Sequence, residues 1–308
     1  MIYKKSALGI LAWLVGFGSA WAQAGSSTPI SMAGLPRPAH VVLVMEENRS
    51  FEDILGSQGS KSQPYLNRLA EEGADMVKSY AVGHNSEMNY LALFSGDPYV
   101  QFKTEKDNCP VDIGAAPNLA VSLLAAGYSF AGYSEGLPSM GATVCRAGRY
   151  ARKHCPWVDF QEGGNVPVTC NLPFTQFPQD FNHLPTVSWV IPNLDHDMHD
   201  GSPQQADAWL KANLSAYADW CADPANQSLL VIQWDEDDKK SAANQIPTIF
   251  YGAMVRPGKY DEIITHYSVL GTLLAMYGIP GFGKAAGAAP ITDIFAQEGA
   301  SVPSLTSP

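Results

Sequence analysis

HVVLVMEENRSF, residues 40–51, is the stretch that decides the fold. Val41 to Met45 is an unbroken apolar run, the pattern of a strand covered on both faces rather than on one. It stops abruptly at Glu46, Glu47 and Asn48, followed by Arg49. Two other runs stop in the same way. Val187 to Ile191 leads into NLDHDMHD, residues 193–200, and Leu229 to Trp234 leads into DEDD, residues 235–238. Helical patterns lie between and after them: Pro64 to Gly73, Glu87 to Phe94 with Ser86 as N-cap, Asn118 to Ala126 closed by Gly127, Gln204 to Cys221, and Ser268 to Tyr277. Further strands are expected over 76–82, 129–133 and 248–251. Strands alternating with helices predict an α/β fold with a mostly parallel central sheet and helices on both faces. Ligands of such sheets bind beyond the carboxyl ends of the strands, so the three acidic clusters should converge on one edge.

The chain has 308 residues, 46% of them hydrophobic, enough for one large core, which we assign to residues 39–296. A formal net charge of −11 argues against a nucleic-acid partner, and it means that an anionic substrate needs a local cation or a helix N-terminus. Lys4 and Lys5, the apolar run Ala7 to Phe17, and Ala20-Trp21-Ala22 together read as a cleaved signal peptide over 1–22. The run is too short for a comfortable membrane span, so the mature chain is expected to have no integral span and to be secreted or periplasmic. Residues 23–38 read as a flexible mature N-terminus and 297–308 as a loose tail. All five cysteines follow the signal segment, no Cys-x-x-Cys occurs, and an exported chain meets an oxidising compartment. Cys109 with Cys145 and Cys155 with Cys170 are the expected bridges, leaving Cys221 free, although spacing alone fixes no connectivity. Residues 136–183, rich in Gly, Pro and Cys, read as a long stapled excursion.

Each strand-end cluster has the composition of a cation or phosphate site. Asp195, His196, Asp197, His199 and Asp200 crowd one loop, and Asp195 with His199 has a spacing that lets a carboxylate and an imidazole grip one metal. A polar loop with capping aspartates would carry the same letters. Asp235 and Glu236 are adjacent carboxylates leaving a buried strand, which repel unless a cation or proton lies between them. Asp237 and Asp238 read as a charged turn. Glu47 and Asn48 offer hard oxygen ligands, a pattern shared with an N-capping turn. Ser86, in HNSEM at a helix start, is the candidate nucleophile, because backbone N–H groups there can hold a phosphoryl oxygen. No G-x-S-x-G elbow and no P-loop occur. His266, in ITHYSVL, stands just before the last helix.

VVLVMEENRSFEDI, HNSEMNYLALFSG, IPNLDHDMHDGS, WDEDD with NQIPTIFYG, and ITHYSVLGTL, in that order, resemble the bacterial phosphoesterase family of acid phosphatases and phospholipases C. Within it they are most similar to the short secreted acid phosphatases, a branch that includes phosphatidylinositol 3-phosphate phosphatases. The resemblance runs from about His40 to about Phe295. It implies an alkaline-phosphatase-like fold and an acid phosphatase with a serine nucleophile, a phosphoserine intermediate and a divalent metal such as Mg, Ca or Zn. By motif position it places Glu47, Asn48, Ser86, Asp235 and Glu236 at the metal. It places Asp195, His196, Asp197 and His199 in the phosphate-site motif, with His199 or His196 protonating the leaving alcohol. Asp195, His199 and His266 would hold a second metal or phosphate. The chain departs from the family pattern at Gly83, Asn85 and Met88 around the serine, and at Lys239 and Lys240 after the late acidic pair. Two other readings stay open on sequence: a phospholipase C-type diesterase, and an exported ligand-binding protein without turnover.

Overall fold

The computed structural model describes residues 35–56, 62–100, 109–160, 165–239 and 242–296. The expected signal peptide, residues 23–34 of the expected flexible segment, and the tail from 297 lie outside the described residues. In chain order the strands are β1 (His40–Glu46), β2 (Ala74–Met76), β3 (Ser79–Tyr80), β4 (Phe130–Ser134), β5 (Arg146–Ala147) and β6 (Tyr150–Ala151). They continue with β7 (Asn171–Pro173), β8 (Val187–Ile191), β9 (Ser228–Trp234), β10 (Thr248–Tyr251), β11 (Gly258–Tyr260) and β12 (Ile264–Thr265). The α-helices are α1 (Phe51–Ile54), α2 (Pro64–Glu72), α3 (Ser86–Ser95), α4 (Leu119–Ala125), α5 (Pro203–Cys221) and α6 (His266–Met276).

The unbroken apolar run of β1 is explained by its place. The main sheet has eight strands in the order β11-β2-β10-β9-β1-β8-β4-β7, and β1 pairs in parallel with both β8 and β9. Alternate side chains of a strand face opposite ways, so a central strand must satisfy two cores at once. Val41, Leu43 and Met45 enter one core with Tyr90, Phe94, Leu123 and Leu270, beneath α3, α4 and α6. Val42 and Val44 enter the other with Leu66, Leu69, Leu210 and Leu214, beneath α2 and α5. Within the main sheet only β10 runs against its neighbours β9 and β2, so the sheet is mostly parallel, as expected. Register sets Glu46 against Trp234 and Val44 against Val190, so the acidic clusters after β1, β8 and β9 do meet at one edge.

The structure corrects several local expectations. The stretch 76–82 is two short strands, because the chain changes partners: β2 pairs with β10 and β11, then β3 pairs with β12. β7, an edge strand beside β4, is three residues long and includes a proline, too short to show a period of two. His266 opens α6 rather than preceding it, with Thr265 as cap in a capping box with Ser268. Ser86 is likewise inside α3, and Asn85 caps that helix through its side chain on Met88 N. Cys109 and Cys145 are bridged, 5.7 Å apart at Cα, but Cys155 and Cys170 are not. Cys155 Sγ lies 3.1 Å from Ser134 Oγ in the core, where burial pushes its thiol up to about 12. Cys155, Cys170 and Cys221 are all free and buried, so Cys221 is one of three.

Asp75 of β2 is buried with Oδ1 unpartnered, and Lys259 Nζ stands 3.9 Å from Oδ2. Burial pushes its carboxyl up to about 6, against the pull of Lys259. An acid whose folded pKa is raised favours the folded state only when protonated, so stability falls as pH rises from about 4 through 6. Asp75→Asn should therefore raise stability by roughly 1–2 kcal/mol at pH 8 and leave it unchanged near pH 4. Thermal melts of both proteins across that range check this; parallel curves at all pH values refute it.

Candidate active site

The loop after β1 turns sharply at Asn48, which takes a left-handed φ of 54°, a conformation asparagine tolerates. The turn lets Asn48 N donate to Asp235 Oδ1 at 2.9 Å, and Asn48 Nδ2 donate to Glu47 Oε2 at 2.9 Å. The same Glu47 oxygen accepts the Ser86 hydroxyl at 2.9 Å. Ser86 can make that bond because Asn85, not Ser86, holds the cap. Its Oγ is not spent on the cap, and the residue stands in the first turn of α3.

The loop after β8 closes on itself. Asp200 N and Gly201 N both donate to Leu194 O, and a Cβ at residue 201 would fall 1.9 Å from Asp195 O, so only glycine fits. Met198, at φ 77°, plugs the loop into the core. These restraints turn Asp197 inward, fully buried, with its Oδ1 accepting from His199 N at 2.8 Å and its backbone oxygen accepting from Glu47 N at 2.6 Å.

Between Glu47 and Asp197 lies a residue the sequence reading gave no role. His154 places Nε2 3.1 Å from Glu47 Oε1 and Nδ1 3.2 Å from Asp197 Oδ2. Its ring stacks on Tyr90, centroids 5.1 Å apart and 2° from parallel. The excursion delivers it. Pro156–Phe160 is a short 3-10 turn whose Trp157 ring lies across Gly132 of β4, where a Cβ would stand 2.1 Å from the indole. Trp157 Nε1 donates to Asn171 Oδ1 at 2.9 Å. Buried Arg152 adds bonds to Val111 O, Thr143 O and Val158 O and an ion pair of 3.1 Å with Asp159. No spacing rule links His154 to Glu47. The one signal was its place in RKHCP, a basic run before a turn within a chain of this acidity.

Glu47, His154 and Asp197 are the one group among the described residues whose potential ligand atoms all lie within 4.8 Å of one another. Their protonation states conflict. Burial, then Asp235 and Asp197, holds the Glu47 carboxyl well above its usual range. Burial, then Asp235 and Asp200, does the same for Asp197. Burial, followed by Lys153, His199 and Arg146, holds His154 well below the usual imidazole value. A neutral imidazole has one N–H and one acceptor nitrogen, so it can serve both carboxyls only while one of them keeps its proton. Glu47 Oε1, His154 Nε2, Asp197 Oδ2 and Asp235 Oδ2 are buried without a hydrogen-bond partner. A divalent cation held by Glu47, His154 and Asp197 would give the first three of these atoms a partner at once, so the donor set fits a metal.

The other expected residues take definite places. Asp235 is buried behind Asn48, and its backbone N bonds Glu46 O at 2.9 Å. Glu236 is buried too; burial, then Asp235, pushes its carboxyl up to about 8 against the pull of Lys239, whose Nζ lies 3.5 Å away. Asp237 is no solvated turn: it is fully buried, 3.6 Å from His84 Nδ1, which also lies 3.7 Å from Glu236. His84 is a second residue that the sequence reading left without a role. Asp195, His199 and His266 do not converge. Asp195 pairs with Arg149, and His266 is buried with Nδ1 3.1 Å from Gln233 Oε1 and Nε2 2.8 Å from the Asp235 carbonyl. Burial takes its imidazole down to about 4. His196 faces Glu135 at 2.9 Å and stacks on Trp209. His199 stays near the trio, its ring 5.9 Å from that of His154, with Nδ1 on Asp200 at 2.7 Å.

Residues 59–280 match the model of the phosphoesterase family. The chain is 52% identical over 297 residues to the phosphatidylinositol-3-phosphatase of Mycobacterium tuberculosis, covering 96% of this chain and 95% of that one. It is 26% identical to an acid phosphatase of Aspergillus fumigatus, covering 82% of this chain but 58% of the fungal one. Among solved structures, a protein of the alkaline phosphatase superfamily from Vibrio parahaemolyticus superimposes with a TM-score of 0.55 at 15% identity, covering 82% of this chain and 68% of that one. The lipoteichoic acid synthase LtaP of Listeria monocytogenes does so with a TM-score of 0.55 at 13% identity, covering 87% of this chain and 79% of that one. These two likenesses establish the fold, an alkaline-phosphatase-like sheet.

A cation binding the trio in the folded state alone should raise the melting temperature of metal-free protein, by roughly 5–10 °C at a hundredfold excess over Kd. His154→Phe keeps a ring against Tyr90 but removes both nitrogens. It should lose most of that shift; an undiminished shift in a folded variant would place the cation elsewhere.

Proposed function

The chain belongs to the phosphoesterase family, and from that premise we propose that it is an exported acid phosphatase that hydrolyses phosphomonoesters, phosphoinositides among them. The observation that carries the proposal is the Ser86 hydroxyl donating to Glu47 at 2.9 Å, beside the trio and at the N-terminus of α3. The signal-like segment 1–22 and the Cys109–Cys145 bridge support export.

In this reading Ser86 Oγ attacks phosphorus, the ester P–O bond breaks, and phosphoserine forms; water then attacks the same phosphorus, giving a proton to the histidine that protonated the alcohol, and Ser86 leaves, taking its proton back from Glu47. The first-turn N–H groups of α3 receive the equatorial oxygens. Glu47 orients the hydroxyl and takes its proton as the oxygen engages phosphorus, a role suited to a carboxyl whose burial makes it more basic. His199, open to solvent on one side and held through Nδ1 by Asp200, protonates the leaving alkoxide; His196, committed to Glu135, is the lesser candidate. Glu47, Asp197 and His154 would hold a divalent ion, with Asn48, Asp235 and Glu236 around them. When bound, it supplies the positive charge that lowers the hydroxyl pKa and offsets the phosphate. An imidazole among the carboxylates favours a borderline ion such as zinc over magnesium or calcium.

Ser86→Ala should lower kcat on a chromogenic phosphomonoester by roughly a thousandfold or more, with folding intact because Asn85 keeps the cap. A variant retaining over about a tenth of the wild-type rate would sink the assignment.

A further inference from the structure

His154 does not set its own ring plane. The last torsion of a histidine side chain is broad and roughly twofold, so an imidazole that must aim Nε2 at Glu47 and Nδ1 at Asp197 needs a surface to lie on. Tyr90 is that surface. It is fully buried on α3, one turn after Ser86, and residues four apart share a helix face. Its ring lies 5.1 Å from that of His154 and 2° from parallel, and 6.3 Å from that of Trp189 on β8, at 16°. Around Phe94 in the same core the rings meet at 52°, 58° and 57°, so the parallel stack is a particular arrangement and not the habit of this core. Three elements that carry the site thereby meet at one side chain: α3 bears Ser86, the excursion bears His154, and β8 leads to Asp197. Ser86 meets Glu47 at Oε2 and His154 meets it at Oε1, so the helix that holds the serine also steadies the imidazole on the same carboxyl. The Tyr90 hydroxyl is buried and makes no well-formed hydrogen bond, which leaves the ring face as the part that acts on His154.

We propose that Tyr90 is a positioning residue for the cation site, its ring face fixing the plane of the His154 imidazole and favouring the state in which that imidazole holds a cation. The inference rests on the reading of Glu47, His154 and Asp197 as ligands. The face of an aromatic ring is negative, and a positive charge within about 6 Å of its centroid is attracted to it. An imidazole bound to a divalent ion carries part of the ion's charge, which a free neutral imidazole lacks. The stack is therefore stronger with the ion bound, and the difference between the two states is expressed as affinity. Groups that orient a ligand without touching the ion change metal affinity by about tenfold to a hundredfold when removed.

The test is calorimetric titration of metal-free protein with zinc, for wild type, Tyr90→Phe and Tyr90→Leu, with a thermal melt of each metal-free protein to show that it is folded. Tyr90→Phe keeps the ring face and should bind zinc within about threefold of wild type. Tyr90→Leu removes the face and should bind about tenfold to a hundredfold more weakly. A residue that merely filled the core would lower the melting temperature and leave the zinc affinity of the folded protein unchanged. A second measurement needs only the variant that keeps the ring: zinc should perturb the tyrosine absorbance of wild type, and Tyr90→Phe should abolish that signal. Failure of wild type to bind zinc, equal affinity in folded Tyr90→Leu, a loss in Tyr90→Phe as large as in Tyr90→Leu, or a tyrosine signal that survives in Tyr90→Phe would each overturn the proposal. Turnover of a chromogenic phosphomonoester judges the phosphatase reading separately. A wild type whose zinc affinity depends on Tyr90 but which hydrolyses nothing refutes that reading and upholds the role of Tyr90. One that hydrolyses the ester with an affinity indifferent to Tyr90→Leu does the reverse.

Discussion

Everything at the catalytic edge follows from carboxylates being buried where adjacent parallel strands end. Glu47, Asp197 and Asp235 follow β1, β8 and β9, which lie side by side, and none of the three is accessible to water. An ionised carboxylate removed from water without compensation costs several kcal/mol. The surroundings are therefore organised as compensation. Asn48 gives up favourable backbone angles to direct its N–H at Asp235, Ser86 offers its hydroxyl to Glu47, and His199 its N–H to Asp197. Glu47 Oε1, His154 Nε2 and Asp197 Oδ2 remain without a hydrogen-bond partner after these bonds are made, on three residues whose potential ligand atoms lie within 4.8 Å of one another. Such a site spends folding stability to keep strong ligands poised.

His154 shows how far the fold goes to complete that set. It comes from the excursion, not from the sheet, and its ring must enter a fully buried gap. A flat indole over a glycine, a hydrogen bond from that indole to an asparagine, and a buried arginine bonded to three carbonyls fix the turn that carries it. An excursion whose strands are only two or three residues long has few backbone ladders to hold it. It is held here by side-chain bonds and one disulfide, which explains why a segment of 3-10 turns can serve as a wall of the site.

The sheet and helices were legible because their signals are local. The apolar run of β1 announces two cores, and the helical patterns place the starts of α2, α5 and α6 within two residues. The convergence of the strand-end clusters was legible from topology alone. What escaped was anything depending on a contact between distant segments. His154 and Glu47 are far apart in the chain, and nothing in either neighbourhood names the other. Asp195 with His199 had a tempting spacing, but Arg149 from the β5–β6 hairpin takes Asp195, and the folded-back loop turns Asp197 inward instead. Cys155 and Cys170 looked like a pair by spacing, while packing sends the first thiol against β4.

Ser86 illustrates how one local rule hides another. A serine at a helix start is ordinarily its cap, with its oxygen committed to a backbone N–H of the first turn. Such an oxygen would be poorly placed to attack anything. The chain separates the two tasks by one residue: Asn85 accepts from Met88 N, and Ser86, already helical, turns its hydroxyl to Glu47. Asparagine accepts a hydrogen bond from the first turn through its side chain and so leaves the neighbouring oxygen with Glu47 as its hydrogen-bond partner. Two properties of the proposed nucleophile, a rigid position and an uncommitted lone pair, come from the residue beside it rather than from the serine itself.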